Sequence, residues 1–213
     1  MLFESLIAAT PRPLKGPLKV LDIGGLQAFW ESMDFVDEES VEIVLVNLEQ
    51  AETNRTNIEA IIGDARDLTA FADKEFDVVF SNSVIEHLND FSDQEMVARE
   101  IKRLGKHFFV QTPNRYFPFE PHFLFPCFQF LPVVVKIFMI RHFRMGWYHG
   151  WRDGKPPGID RAKAIAQEIR LLTKPELGRL FPDASIYREK FFGMTKSFIV
   201  YHGWETHEDG TLG

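Results

Sequence analysis

Four short apolar runs, each closing on a glycine, an amide, a hydroxyl or an acid, recur through the first half of the chain. Leu18-Lys19-Val20-Leu21-Asp22-Ile23 stops at Gly24-Gly25, Val41 to Val46 stops at Asn47, Ile58 to Ile62 stops at Gly63-Asp64, and Phe76-Asp77-Val78-Val79-Phe80 runs into Ser81-Asn82. The steps from Asp22 to Asn47, Asn47 to Asp64 and Asp64 to Ser81 are 25, 17 and 17 residues, each enough for one strand and its crossover with short loops. Apolar runs this short and rich in β-branched residues are strands buried on both faces. Strands that alternate with helices or short connections imply a parallel sheet covered on both sides, and right-handed crossovers make it doubly wound.

The remaining pattern extends that sheet. A helix is expected from about Gln27 to Met33, another from Ser92 to Leu104 with Met96, Val97, Ile101 and Leu104 on one face, and a fifth strand from His107 to Gln111. Thr112 to Gly158 is rich in Pro, Phe, Trp and Tyr and lacks clean periodicity, which marks an insertion. Helices follow at Asp160 to Leu172 and Lys174 to Leu180, the second opened by Pro175. Strands at Ser185 to Lys190 and Lys196 to His202 flank Gly193 as a hairpin. The expected fold is α/β: a doubly wound, mostly parallel sheet with a C-terminal antiparallel hairpin strand, in one domain over residues 1–213. Met1 to Ala9 lacks a basic leader and a convincing cleavage site, so no secretory signal is expected there, and the segment is expected to form a short helix. The polar tail after Trp204 is expected to fray.

Composition narrows the function classes. At 213 residues, 45% hydrophobic and 26% charged, the chain is an ordinary globular one. Its single cysteine, Cys127, excludes an intrachain disulfide and a cysteine-based zinc site, and suits a reducing, cytoplasmic setting. The net charge of −7 argues against an extended nucleic-acid footprint. Its distribution is uneven: residues 1–100 carry 7 Lys/Arg against 21 Asp/Glu, and residues 101–213 carry 17 against 10. An acidic half suits a cationic ligand.

Glycines after Asp22 allow a tight turn and let a ligand approach bare main chain. At the carboxyl ends of parallel strands that is where ligands bind. A G-x-G-x-x-G dinucleotide fingerprint is absent, since Leu26, Gln27, Ala28 and Phe29 occupy the later glycine positions, so a nicotinamide-dependent oxidoreductase is disfavoured. Together, Asp22-Ile23-Gly24-Gly25, Gly63-Asp64-Ala65 and Phe76 to Leu88 resemble class I S-adenosylmethionine-dependent methyltransferases of the type 11 subgroup, over roughly residues 18–114. The resemblance implies a Rossmann-like methyltransferase fold, S-adenosylmethionine as cofactor, and a cofactor site at Asp22, Gly24, Gly25, Asn47, Asp64, Ala65 and Ser81. Leu26 and Gln27 stand where the family has further glycines. Asn47 stands where it has the acid that binds the ribose, with Glu49 two residues on. The premise is electrostatic: Asp22 and Asp64 should face one hollow and hold a positively charged sulfonium.

His87 is the nearest candidate to take a proton from a methyl acceptor, with Glu86 holding it, and local capping or packing is its alternative role. Some relatives that methylate quinone-type phenols are similar at Glu86-His87 and use that pair with another acid as metal ligands; Ser83 occupies the place of that acid, two ligands make a poor site, and no metal is expected. Asn82, Arg115, Tyr116 and His122 are expected on the acceptor side. The insertion carries Phe117, Phe119, Phe123, Phe125, Phe128 and Phe130, which would be costly to leave in water. Three uses compete: completing the core, covering an apolar acceptor as a lid, and meeting a bilayer. Basic residues from Lys136 to Lys163, interleaved with Phe138, Phe143, Trp147, Tyr148 and Trp151, suit an anionic membrane surface. The expected activity is methyl transfer to a small, apolar or lipid-like acceptor. The rival is a non-catalytic cofactor-binding or membrane-surface protein on the same fold.

Overall fold

The computed structural model describes residues 2–33, 40–146, 150–151 and 154–204. Helix α1 (Leu2–Ala8) leads to β1 (Leu18–Ile23), α2 (Gln27–Glu31), β2 (Val41–Asn47), β3 (Ile58–Ile62) and β4 (Phe76–Asn82). A 3-10 turn over Ile85–His87 precedes α3 (Phe91–Leu104) and β5 (Gly105–Pro113). The insertion holds a short ladder of β6 (Phe119–Glu120) with β7 (Phe125–Pro126), a 3-10 turn, and α4 (Val133–His142). Then come α5 (Ile159–Gln167), α6 (Lys174–Leu180), β8 (Ser185–Phe191) and β9 (Met194–His202).

The main sheet has the order β3-β2-β1-β4-β5-β9-β8. The first five strands run parallel, and β9 lies antiparallel to both β5 and β8. Strand order reverses between β1 and β4, so their carboxyl ends open a crevice at the switch point. Both faces are covered. Leu21, Ile23, Val79 and Phe108 face a core shared with α3 and α6, while Val20, Phe80 and Phe109 face Phe3, Leu6 and Trp30 of α1 and α2. The period of two along β1 therefore turns Asp22 toward the α2 side, with Val20.

Local signals account for the helix boundaries. Asp90 caps α3 by accepting from Asp93 N, and Thr173 with Glu176 forms a capping box on α6, with Pro175 in its first turn. Helix α2 is shorter than expected and ends at Glu31. Helix α5 ends at Gln167 rather than Leu172, because the following residues are recruited elsewhere: Arg170 N donates to Glu86 O, and Leu172 pairs with Asn114. Strand β5 runs past Gln111 to Pro113, because Thr112 and Pro113 pair with Phe198 and Ser197 of β9. The tail after Trp204 lies outside the described residues.

Helix α4 is an element the sequence does not announce. Its residues Val133 to His142 are apolar on every side apart from Lys136, Arg141 and His142, so no amphipathic stripe marks it. It packs on α5, where Ile140, Phe123, Phe128, Met145, Ala162 and Ile165 form a separate small core. The phenylalanines of the insertion divide into two groups. Phe123 and Phe128 are buried, whereas Phe119, Phe125, Phe130, Phe138 and Phe143 stay exposed.

Candidate functional site

A cavity of about 570 Å³ opens at the carboxyl ends of β1 to β4. Its wall includes Gly24, Asn47, Glu49, Asp64, Ala65, Ser83 and His87, with Ile23, Val46, Val84 and Leu88 as its apolar lining. Gly24 has φ +77°, and a Cβ there would stand 2.4 Å from Val84 Cγ2, so the crevice depends on a residue without a side chain.

Asp22 does not face this cavity. Its carboxyl is 1% exposed and accepts from Trp30 Nε1 at 2.7 Å. Burial pushes its pKa up to about 7, against the opposing pull of the Trp30 hydrogen bond. It lies directly behind Gly25, where an added Cβ would come within 1.7 Å of Asp22 Oδ2. Asp64 does line the cavity, but Arg66 clamps it: Arg66 Nη2 donates to Oδ2 at 2.6 Å and Arg66 N to Oδ1 at 2.9 Å. The Arg66 hydrogen bond also holds the Asp64 carboxyl below the usual carboxylate range. The expected pair of acids facing one hollow is therefore corrected. Asp22 shapes the loop from behind, Asp64 is neutralised by its neighbour, and Glu49 is the other acid on the wall.

Asn47 has a reason to be an amide. Its Nδ2 donates to Gly25 O at 2.9 Å, a bond that a carboxylate cannot make. Ser81 is buried inside β4, its hydroxyl has no hydrogen-bond partner among the described residues, and it is not part of the cavity wall. Ser83, two residues on, takes that place. It adopts φ +57° and its Oγ donates to Gln111 Oε1 at 2.9 Å. Ser83 also borders a second cavity of about 260 Å³ walled by Pro113, Phe117, Phe119 and Pro121, with His122 and Lys196.

Where the two cavities approach, four titratable groups meet. His87 lines the 570 Å³ cavity and His122 the smaller one, with their Nε2 atoms 3.2 Å apart. His122 Nδ1 donates to Glu120 Oε1 at 2.6 Å, and Phe123 N donates to Glu120 Oε2 at 2.8 Å. Glu86 is fully buried; Thr112 Oγ1 donates to its Oε2 at 2.9 Å, and its Oε1 has no hydrogen-bond partner among the described residues. Burial pushes the Glu86 pKa up to about 7. Burial and the neighbouring His122 hold His87 low, while for His122 burial is outweighed by the Glu120 carboxylate, which raises it.

Other acceptor-side expectations separate. Asn82 opens into a further cavity, of about 550 Å³, bordered by Phe29, Phe80 and Phe109. Tyr116 is 67% exposed and stacks on Phe130, and neither it nor the exposed Arg115 lines the cavities described. Trp147, Tyr148 and Arg152 lie outside the described residues. Sequence reasoning missed Glu120, Thr112 and the cavity role of Ser83. The Glu120-Pro121-His122 spacing, with acid and imidazole two residues apart in a tight loop, was the available signal.

Residues 25–107 match a family profile described as a methyltransferase domain. Two curated Mycobacterium tuberculosis proteins, both described as uncharacterised, are 27% identical over 108 residues, which is 51% of this chain and 33% of theirs. The chain thus spans about a third of the length of the curated relatives it matches. Among solved structures, a SAM-dependent methyltransferase from Methanosarcina mazei superposes with TM-score 0.51 at 14% identity, covering 92% of this chain and 95% of that one. A Burkholderia thailandensis 1,6-didemethyltoxoflavin-N1-methyltransferase, solved with its substrate and S-adenosylhomocysteine, gives TM-score 0.50 at 14% identity, covering 87% and 70%. At these identities the likeness is one of fold.

Proposed function

We propose that this chain, whose residues 25–107 match the methyltransferase-domain profile and which resembles the type 11 class I S-adenosylmethionine-dependent methyltransferases, transfers a methyl group from S-adenosylmethionine to a small, apolar or lipid-like acceptor. The observation that carries the reading is the pair of cavities meeting at Ser83, one at the switch point of the sheet and one walled by aromatic and proline side chains. The larger cavity suits an adenosyl donor: it is mostly apolar, has Asp64 and Glu49 as acceptors for polar groups, and offers the bare backbone of Gly24. When bound, the donor supplies an electrophilic methyl on a cationic sulfur. The chain's part is orientation and exclusion of water. In this reading Asp64 and Ala65 meet the adenine and Asn47 orders the glycine turn. Ser81 and Asp22 support the loops from behind. His87, backed by Glu86, receives the proton of an acceptor entering beside His122.

The insertion, residues 112–158, is read as the acceptor-side cover. Its exposed Phe125, Phe130, Val134, Phe138 and Phe143, near the exposed Arg141 and Arg144, suit contact with an anionic membrane surface that would present a lipid-like acceptor. Among the described residues no helix is long and apolar enough to cross a membrane.

Incubating the protein with methyl-labelled donor and a lipid extract should move label into the organic phase. Label confined to protein or nucleic acid would reject the acceptor class. Co-sedimentation with phosphatidylglycerol vesicles, but not with phosphatidylcholine vesicles, is expected at low salt and should weaken as salt screens the basic residues. Asn47→Asp restores the family's acid, yet it is expected to weaken S-adenosylhomocysteine binding about tenfold, or ~1.4 kcal/mol. The new carboxylate would lose the bond to Gly25 O and repel that carbonyl. Calorimetry reads the effect, and tighter binding by the variant would reverse the assignment.

A further inference from the structure

Three donors from two distant segments converge between the cavities. Glu86 and His87 come from the turn after β4, and His122 from the loop between β6 and β7. One ligand atom from each lies within 4.8 Å of the others. The expectation of no metal rested on there being only two donors near Ser83; the fold brings a third from 35 residues away.

The two imidazoles are spaced as ligands. Two imidazole nitrogens on one tetrahedral ion, each about 2.0–2.1 Å from it, stand about 3.3 Å apart. His87 Nε2 and His122 Nε2 are 3.2 Å apart, with ring planes at 87°. Glu86 offers a fully buried oxygen, Oε1, that no donor among the described residues satisfies. Buried polar atoms in native proteins are almost always paired, and an ion would pair this one. The surroundings hold the ligands in place. Glu120 fixes the ring of His122 through the remote nitrogen, Phe123 N fixes Glu120, and Thr112 fixes the other oxygen of Glu86. Carboxylates behind ligating histidines orient the ring and raise its basicity in this way.

We propose that Glu86, His87 and His122 bind a divalent transition-metal ion of the zinc type. Two nitrogens and one carboxylate select such an ion over magnesium or calcium, which prefer all-oxygen sets. Three protein ligands leave a coordination position open, and in the methyl-transfer reading, on which this consequence rests, that position takes a hydroxyl or phenolic oxygen of the acceptor. With the ion bound, His87 is a ligand, and the proton-accepting role described above belongs to the metal-free protein.

The test needs no acceptor. Chelator-treated protein is titrated with Co2+ alone, followed by visible absorption, and with Zn2+ alone, followed by calorimetry. One ion per chain is expected, with the absorption of a low-coordinate, nitrogen-bound Co2+. His122→Ala and Glu86→Gln should each weaken binding at least about 100-fold, and Glu120→Gln, which leaves every ligand in place, about 10- to 100-fold. Circular dichroism of the same samples reports that they are folded, and their S-adenosylhomocysteine binding is measured separately. Protein that binds S-adenosylhomocysteine but takes up no ion would overturn the metal site and leave the donor reading standing. Uptake that is indifferent to His122→Ala and Glu86→Gln would overturn it as adventitious. Uptake with the expected mutant losses, in protein that fails to bind S-adenosylhomocysteine, would support the metal site and count against the donor reading.

Discussion

Replacing Gly25 by alanine is expected to abolish measurable S-adenosylhomocysteine binding, a loss of at least about 100-fold or ~2.7 kcal/mol. The added Cβ would sit 1.7 Å from Asp22 Oδ2 and 2.1 Å from Asp22 Cγ, far inside van der Waals contact. Asp22 cannot retreat, because Trp30, which donates to it, is itself fully buried beneath Phe3, Phe29 and Phe80. The strain must instead move the turn, and with it Gly25 O, the anchor of Asn47 on the cavity wall. Overpacking of this kind costs about 1–3 kcal/mol, so the melting temperature should also fall, by about 2–4 °C for each kcal/mol. Gly178→Ala is the matched control. Gly178 lies inside α6 with nothing within 4 Å of an added Cβ, and alanine there should be neutral or slightly stabilising. Unchanged affinity in Gly25→Ala would show that the turn does not shape the donor site.

Asp22→Asn should make the protein more stable above about pH 7 and leave it nearly unchanged near pH 4. Burial raises the Asp22 pKa from 3.8 to about 7, so the folded chain holds this proton more tightly than the unfolded chain. The resulting stability is fully present below about pH 4 and is lost as the pH rises through about 7. The shift corresponds to an upper limit on the order of 4 kcal/mol across that window. Asparagine keeps an acceptor for Trp30 and has no proton to lose. Denaturant midpoints measured from pH 4 to pH 8.5 should converge at the acid end and separate as the pH rises to about 7, with the variant above and the gap steady beyond. Parallel curves would mean that this carboxyl does not titrate in the range.

The sheet was legible because its signals are local. Each buried strand is a run of β-branched residues ended by a residue that turns or caps, so Leu18–Ile23, Ile58–Ile62 and Phe76–Asn82 stand where the pattern puts them. Gly24, Asn47, Asp64, Ala65 and His87 reach the crevice because strand termini in a parallel sheet meet at one edge whatever the side-chain packing. Helix α4 was not legible. A helix apolar on nearly all sides carries no periodicity, and what stabilises it is contact with α5 across a long sequence gap.

The directions of side chains were equally out of reach. Asp22 reads as a ligand for a cation, yet the pleat of β1 sends it to Trp30, and its charge is suppressed by the burial that follows. Asp64 reads as a free acid, and the turn brings Arg66 onto it. The strand segments, the mostly parallel doubly wound class and the acidic bias of the first half follow from periodicity and composition, which are properties of consecutive residues; the strand order β3-β2-β1-β4-β5-β9-β8 does not. The meeting of Glu86, His87, Glu120 and His122 depends on how a 3-10 turn and an inserted loop pack against each other. Contacts between residues far apart in the chain leave no trace in local pattern, because the energy that selects them appears only when the whole sheet has formed and excluded water from between them.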